Sequence, residues 1–302
     1  MKKFYSNGKL LITGEYVVLD GALAFALPTK FGQSLIVSEN ENQVISWKSY
    51  DFDSSCWFET DIAFDEVINY SGGESESIKN TLIKILHEAH KLNSDLLLNL
   101  KGASVITNLT FPRQWGLGTS STLINNIAQW FLVDAFILLQ NSFGGSGYDV
   151  ACAQSNTPIM YHIQNNVPVI TPLFFNSEFT KNCYFVYLNQ KQNSKTAIDN
   201  YRKNVRNDAR IIDQISNYSS IISSTTDVTI FENTLQLHEN AISLMLKQPT
   251  IKQLLFSDFN GTIKSLGAWG GDFIMVLSPV NPKSYFEQKG YSTVISFSEM
   301  IL

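Results

Sequence analysis

Cysteine is scarce in this chain: Cys56, Cys152 and Cys183 are far apart, odd in number and not at metal-ligand spacing. That excludes a disulfide framework and a cysteine-based metal centre, and it predicts a reducing, cytoplasmic setting. Charge is sparse as well, at 16% of residues with a formal net charge of -5 and no dense Lys/Arg run. Neither nucleic acid nor an anionic membrane surface is therefore an expected partner. Long apolar runs are missing too. The most apolar stretch, Trp130 to Leu139, is too short to span a bilayer and contains Asp134. Met1-Lys2-Lys3 and the apolar residues after it imitate a signal peptide, but Glu15 and Asp20 interrupt the run and no small-residue cleavage site stands out. The expectation is a soluble protein. Repeats, low-complexity tracts and long linkers are absent. His87, His90, His162 and His238 form no metal-like arrangement, and the i,i+3 pair His87/His90 reads as a surface pair.

What is present is a globular composition, 44% hydrophobic and 12% aromatic over 302 residues, enough for two domains or one large one. Lys9 to Leu19 reads as one strand or two short ones broken near Gly14-Glu15. Further short strands are expected at Leu35–Val37, Val44–Trp47 and Ala103–Leu109. Glu76 to Leu92 carries Ile78, Leu82, Ile85, Leu86 and Ala89 at helical spacing, and Ser120 to Gln140 is the longest apolar helix candidate. After Pro158 the pattern predicts a strand at Tyr184–Leu188, helices over Lys195–Ile222 and Phe231–Leu246, and a strand at Phe273–Leu277. A boundary near residues 160–175 divides the chain into 1–165 and 166–302.

Three glycine turns punctuate this pattern: Trp115-Gly116-Leu117-Gly118-Thr119-Ser120-Ser121, Gly144-Gly145-Ser146-Gly147 and Gly267-Ala268-Trp269-Gly270-Gly271-Asp272. The first runs directly into the apolar helix. Free N–H groups and the positive end of the dipole at a helix start attract a phosphate, and a hydroxyl there can ligate the magnesium of a nucleotide. The same residues serve equally well as an ordinary N-cap. Neither common nucleotide fingerprint fits: Gly116-Leu117-Gly118 and Gly145-Ser146-Gly147 lack the third glycine of a dinucleotide turn, and no turn ends in the Gly-Lys-Ser/Thr of a P-loop.

Taken in order, these segments resemble the motifs of the kinase superfamily named for galacto-, homoserine, mevalonate and phosphomevalonate kinases (GHMP). The first motif is matched by Gly8-Lys9-Leu10-Leu11-Ile12-Thr13-Gly14-Glu15-Tyr16-Val17-Val18-Leu19, the phosphate loop by Pro112 to Ser121, and the third motif by Leu266 to Phe273. Gly145-Ser146-Gly147-Tyr148-Asp149-Val150-Ala151 resembles the segment that carries the superfamily's catalytic aspartate. The resemblance runs from residue 8 to about 273. Gly14-Glu15-Tyr16, where mevalonate kinases usually carry His in place of Tyr16, leans towards the bacterial phosphomevalonate kinases. Mevalonate and homoserine kinases place a magnesium-binding Glu about eleven residues before the aspartate, where this chain has Leu138. Thr119 replaces a usual Ser, Ser121 a common Ala, and Trp269 a glycine, which marks a divergent subgroup.

The resemblance implies a two-domain α+β fold, with a ribosomal-protein-like N-terminal domain and a ferredoxin-like C-terminal domain. It implies ATP and Mg2+ as cofactors and transfer of phosphate to a small acceptor, phosphomevalonate first and mevalonate second, by a monomer or homodimer. A non-catalytic ligand-binding relative is the rival from another class. Asp149 would orient the acceptor and take its proton, and Lys9 would stabilise charge in the transition state. Trp115, Gly116, Leu117, Gly118, Thr119, Ser120 and Ser121 would hold the nucleotide, with Ser120 the magnesium ligand. Glu15, Tyr16, Ser146, Gly147, Lys191, Ser194, Lys195 and Gly270 would form the acceptor site. Each has a plainer reading: Asp149 as a helix cap, Lys9 as a solvated strand-edge lysine, Tyr16 as a core residue with a satisfied hydroxyl, and Lys191 to Thr196 as a solvated loop.

Overall fold

The computed structural model describes residues 1–72, 77–190, 194–204, 208–269 and 271–302, with backbone alone at 194, 195, 200 and 204. The chain divides into two compact units. The first comprises residues 1–8, 31–113 and 117–154; the second comprises 9–30, 114–116 and 155–302. Two long strands, β1 (Lys2–Thr13) and β2 (Ala24–Glu39), pair with each other and run through both units. This is why the units divide at 154/155 and not at 165/166. The strand β6 (Ile159–Gln164) pairs with the early part of β2, matching Ala24 to Tyr161 and Ala26 to Ile159, and so belongs with residues 9–30.

In the first unit β3 (Val44–Tyr50), β4 (Cys56–Ala63) and β5 (Ala103–Leu109) extend from the later part of β2 in the order β2-β5-β3-β4. The β2/β5 pair is antiparallel from Gln33↔Leu109 to Glu39↔Ala103, and β3 lies parallel to β5. Alternation sets the inward face: Ala103, Val105, Thr107 and Leu109 are buried, as are Ile45, Trp47 and Ser49 on β3. The helices are α1 (Phe64–Ile68), α2 (Ile78–Leu92), α3 (Asp95–Asn99), α4 (Thr119–Phe131), α5 (Ala135–Ser142) and α6 (Tyr148–Gln154). Leu82, Ile85, Leu86 and Ala89 of α2 pack with Trp47, Val105, Ile124 and Phe131 in one core.

In the second unit β7 (Val167–Pro172) continues from β6. Strands β8 (Cys183–Tyr187), β9 (Thr262–Ser265), β10 (Phe273–Leu277) and β11 (Val294–Ser296) form an antiparallel sheet in the order β11-β8-β10-β9. Its helices are α7 (Ser194–Asn204), α8 (Ala209–Ser224), α9 (Val228–Leu246), α10 (Ile251–Leu255), α11 (Lys283–Gln288) and α12 (Phe297–Met300). Val186, Phe256, Ile274, Val276 and Phe286 form one core; Val17, Ala22, Tyr201, Ile242 and Trp269 form another.

Three elements differ from the expected ones, each for a local reason. The helix expected over Ser120–Gln140 is two: Leu132 closes α4 at φ +57, and Asp134 caps α5 by accepting hydrogen bonds from the Phe136 and Ile137 N–H groups. The helix expected over Lys195–Ile222 is also two, because Asp208 stands in extended backbone and caps α8 through the Arg210 N–H. The β2 strand is far longer than its Leu35–Val37 signal. Residues 24–29 are buried without alternation and include Pro28, which hides the period-2 pattern. Among the described residues no helix is long and apolar enough to cross a membrane.

Candidate active site

In the first unit the phosphate-loop residues build the start of α4. Leu117 is fully buried and anchors the loop, while Gly118 takes the N-cap position at φ +96 without a side-chain cap. Thr119, Ser120 and Ser121 are the first three helical residues, so none of them is the cap. The ordinary-cap reading fails here because a glycine stands in that place. Ser121 Oγ turns back to donate to the Gly118 carbonyl at 2.8 Å, and Thr122 Oγ1 donates to Gln33 Oε1 at 2.8 Å. Ser120 is left exposed at a helix end that no side chain caps.

Asp149 lies in the first turn of α6, half-buried, with Oδ1 accepting from the Val150 N–H at 3.0 Å. The α6 helix packs on α4, and Gln154 Nε2 donates to Asn125 Oδ1 at 2.9 Å across that pair. Ser146 and Gly147 are buried in the turn leading to Asp149. Leu138 is fully buried in the core and has no metal-ligating atom. Among the described residues no three His, Cys, Asp or Glu side chains gather as a metal site. Magnesium bound to a nucleotide keeps several waters and draws most of its ligands from phosphate, and the exposed Ser120 hydroxyl suits that sparse requirement.

In the second unit the first, second and third motifs meet. Lys9, half-buried on β1, donates from Nζ to the Gly116 carbonyl at 2.9 Å. Gly116 has φ +67, and a Cβ there would fall 2.4–2.6 Å from the Asp272 carboxylate. Backbone and space both demand glycine at this place. Asp272 is held in turn: its N–H donates to Gln190 O at 2.6 Å and its carbonyl accepts from the Leu188 N–H at 2.8 Å. Trp115 stands edge-on to Phe273 with ring centroids 5.4 Å apart. Tyr187 donates to Gln114 O at 3.1 Å, and burial together with the Asp272 charge raises its phenol pKa. Asp272 falls within the third motif with no role implied for it, and Tyr187 carries no sequence signal beyond a strand position.

Tyr16 adopts φ +63, stacks on Tyr201 with ring centroids 5.3 Å apart, and donates to the Ala268 carbonyl at 2.8 Å. The satisfied hydroxyl and half-buried ring fit the plainer reading of Tyr16. Trp269, which stands where the motif's resemblance implies a glycine, adopts φ +51, a conformation that favours glycine. Its indole is 5% exposed and packs among Val17, Ala22, Tyr201 and Ile242, filling space in that core. Glu15, expected to help form the acceptor site, is enclosed by protein. It has no exposed surface, and its carboxylate is engaged by the equally buried Lys264. Burial raises Glu15 to about 7 against the opposing pull of Lys264. Ser194 and Lys195 open α7, with their side chains outside the description; Lys191 and Gly270 lie outside the described residues.

No protein-family model matches the sequence, and no curated protein sequence matches it. Solved structures do. Phosphomevalonate kinase of Streptococcus pneumoniae, in complex with phosphomevalonate and AMPPNP, is similar with a TM-score of 0.73 and 17% identity, covering 98% of this chain and 100% of that one. Mevalonate kinase of Methanococcus jannaschii gives 0.67 at 16% identity, covering 95% and 92%. Galactokinase of Lactococcus lactis, complexed with galactose, gives 0.69 at 12% identity, covering 95% and 88%. The chain thus has the two-domain α+β fold of these kinases, at 12–17% sequence identity.

Proposed function

We propose that this chain is an ATP-dependent kinase for a small acceptor, with phosphomevalonate preferred and mevalonate the runner-up. The observation that carries the reading is the start of α4: a glycine cap without a side-chain cap, followed by an exposed serine, which is an electropositive helix end open to phosphate. Lys9, held at the Gly116 carbonyl, adds the positive charge that phosphoryl transfer requires. Trp115, Gly116, Leu117, Gly118 and the hydroxyls of Thr119, Ser120 and Ser121 would receive the nucleotide. Ser120 would hold the magnesium ion, which neutralises charge on the β- and γ-phosphates. Asp149 would orient the acceptor oxygen. A phosphate nucleophile needs little deprotonation, so Asp149 would act there more by placing that oxygen than as a strong base. Tyr16, Ser146, Gly147, Gly270 and the Lys191–Lys195 segment would receive the acceptor. The phosphomevalonate choice draws support from the full-length likeness to the pneumococcal kinase and from Leu138, which removes the carboxylate that mevalonate kinases carry.

The test is ADP release by the purified protein with magnesium-ATP and either mevalonate or phosphomevalonate, beside Asp149→Asn. Diphosphomevalonate from phosphomevalonate, with a loss of about 10²–10⁴ in kcat for the variant and an unchanged melting temperature, is the expected result. Product from mevalonate alone promotes the runner-up. Nucleotide-dependent stabilisation without turnover over a broad acceptor panel turns the reading to a binding protein.

A further inference from the structure

The second unit contains a dry ionic knot to which the proposed chemistry assigns no role. Glu15, His238 and Lys264 have no exposed surface, and Glu239 has 4%. Lys264 Nζ donates to Glu15 Oε1 and to the Ser265 carbonyl, and lies 3.1 Å from Glu239 Oε2. Glu239 Oε1 accepts from the Ser265 N–H at 3.1 Å and from Ser265 Oγ at 2.6 Å. His238 Nε2 accepts from the Gly14 N–H at 3.1 Å and lies 3.5 Å from Glu15 Oε2. Because Nε2 accepts, the ring is neutral with its proton on Nδ1, an assignment that follows from the hydrogen bonding. Burial and the Lys264 ammonium both keep it so, holding its pKa well below the usual histidine range.

The knot joins three elements at named atoms. From the first motif come the Gly14 N–H and the Glu15 carboxylate; from α9 come His238 and Glu239; from β9 come Lys264 and Ser265. The third motif begins at the next residue, Leu266. Tyr16, next to Glu15, sits in left-handed backbone at φ +63 and reaches the third motif at the Ala268 carbonyl. A non-glycine residue in that region costs on the order of 1–3 kcal/mol and persists only where its surroundings over-determine it. Here the surroundings are the knot on one side and the Ala268 and Tyr201 contacts on the other. Two carboxylates share one ammonium without solvent, and Glu15 Oε2, Glu239 Oε2 and His238 Nδ1 have no hydrogen-bond partner. The balance of charge therefore turns on a single proton. The groups facing Glu15 from the packed elements are Lys264 on β9 and Glu239 and His238 on α9; burial acts most strongly on its titration, Lys264 opposes it, and Glu239 adds least.

We propose that Lys264 is a positioning residue for the acceptor site: through Glu15 on one side and Ser265 on the other, it fixes Tyr16 against the third motif. The acceptor role of Tyr16 rests on the kinase reading above; the joining of the two motifs does not. Ionisation of Glu15 leaves the knot with a surplus negative charge and loosens the turn, so acceptor affinity falls as pH rises through about 7.

The test measures KM for acceptor and for ATP from pH 5.5 to 8.5 in the wild type and in Glu15→Gln, which carries the uncharged isostere throughout. The expected result is an acceptor KM that rises several-fold across pH 7 in the wild type and stays flat in Glu15→Gln, with the KM for ATP parallel in both. Identical acceptor profiles overturn the proposal. Lys264→Met alone leaves two buried carboxylates facing each other without a cation, which opposes folding, so it is made together with Glu15→Gln and Glu239→Gln. That variant should raise the acceptor KM tenfold or more and leave the KM for ATP within about twofold; equal changes in both overturn the proposal. If the wild type turns over no acceptor, the kinase reading fails on its own, and the knot is read by amide exchange corrected for intrinsic pH effects. Exchange at residues 14–17 and 266–269 should quicken across pH 7 in the wild type and not in Glu15→Gln; the same dependence in both overturns it.

Discussion

Glu15 and His238 are neighbours in one dry pocket, and their titrations act on stability with opposite signs. The native carboxyl of Glu15 keeps its proton to about 7, whereas the ordinary value is 4.5. Its contribution is fully present below about pH 4.5 and is lost as pH rises through 7. The native ring of His238 resists protonation, so its contribution is present above the ordinary 6.5 and is lost as pH falls. Glu15→Gln removes only the first of these. The difference in unfolding free energy between wild type and variant, measured in urea, should decline from pH 4.5 to 7 by about 3 kcal/mol at most, since one pKa unit corresponds to 1.36 kcal/mol. A difference that does not change with pH would mean that Glu15 is ionised throughout. None of this was legible in the sequence, where Glu15 read as a candidate acceptor ligand and Lys264 carried no signal. A lysine in a four-residue strand and a glutamate in a long helix find each other only through tertiary packing. Gly116, by contrast, stood out in the sequence as part of a glycine turn. The structure supplied the reason, the Asp272 carboxylate lying where a Cβ would stand. Trp269 was legible as an oddity in a glycine motif, and it stands in left-handed backbone, which favours glycine.

Among the elements, alternation and caps decide what could be read in advance. Strand β5 matches its expected bounds because one face is buried and the other is not. The early part of β2 is buried on both faces and reads as nothing in particular. The break between α4 and α5 was missed because apolar residues continue through it, although Asp134 was already noted as out of place in that run. Its carboxylate accepts from the Phe136 N–H at 2.7 Å and the Ile137 N–H at 3.0 Å. Asp134→Ala should therefore cost about 1 kcal/mol, read as a lower urea midpoint with an unchanged slope. Leu132→Gly, at an 83% exposed position with φ +57, should shift the midpoint the other way. If both variants lower the midpoint equally, the two helices are held by packing and the junction contributes little.

For the molecule as a whole, the course of the chain matters more than any boundary drawn along it. A division at 165/166 looks natural in the sequence, where the character changes after Pro158. The second unit, however, takes in residues 9–30 and 114–116. Without residues 9–30 it loses the early part of β2 that pairs with β6, the core residues Val17 and Ala22 that pack beside Trp269, and the Glu15 carboxylate that meets Lys264. A buried ammonium stripped of one of its oxygen acceptors is left unsatisfied, which costs about 1–3 kcal/mol or more. Added to the lost strand pairing and core contacts, that weighs against the roughly 5–15 kcal/mol that holds a typical domain together. A fragment of residues 166–302, expressed alone, should therefore show no cooperative thermal transition. Supplying residues 1–165 as a separate chain should restore one, because the missing strands and the Glu15 carboxylate return with it. A fragment that melts cooperatively alone would show that the sheet of β8–β11 and its helices carry their own stability. The parts contributed by residues 9–30 would then be additions to a finished domain.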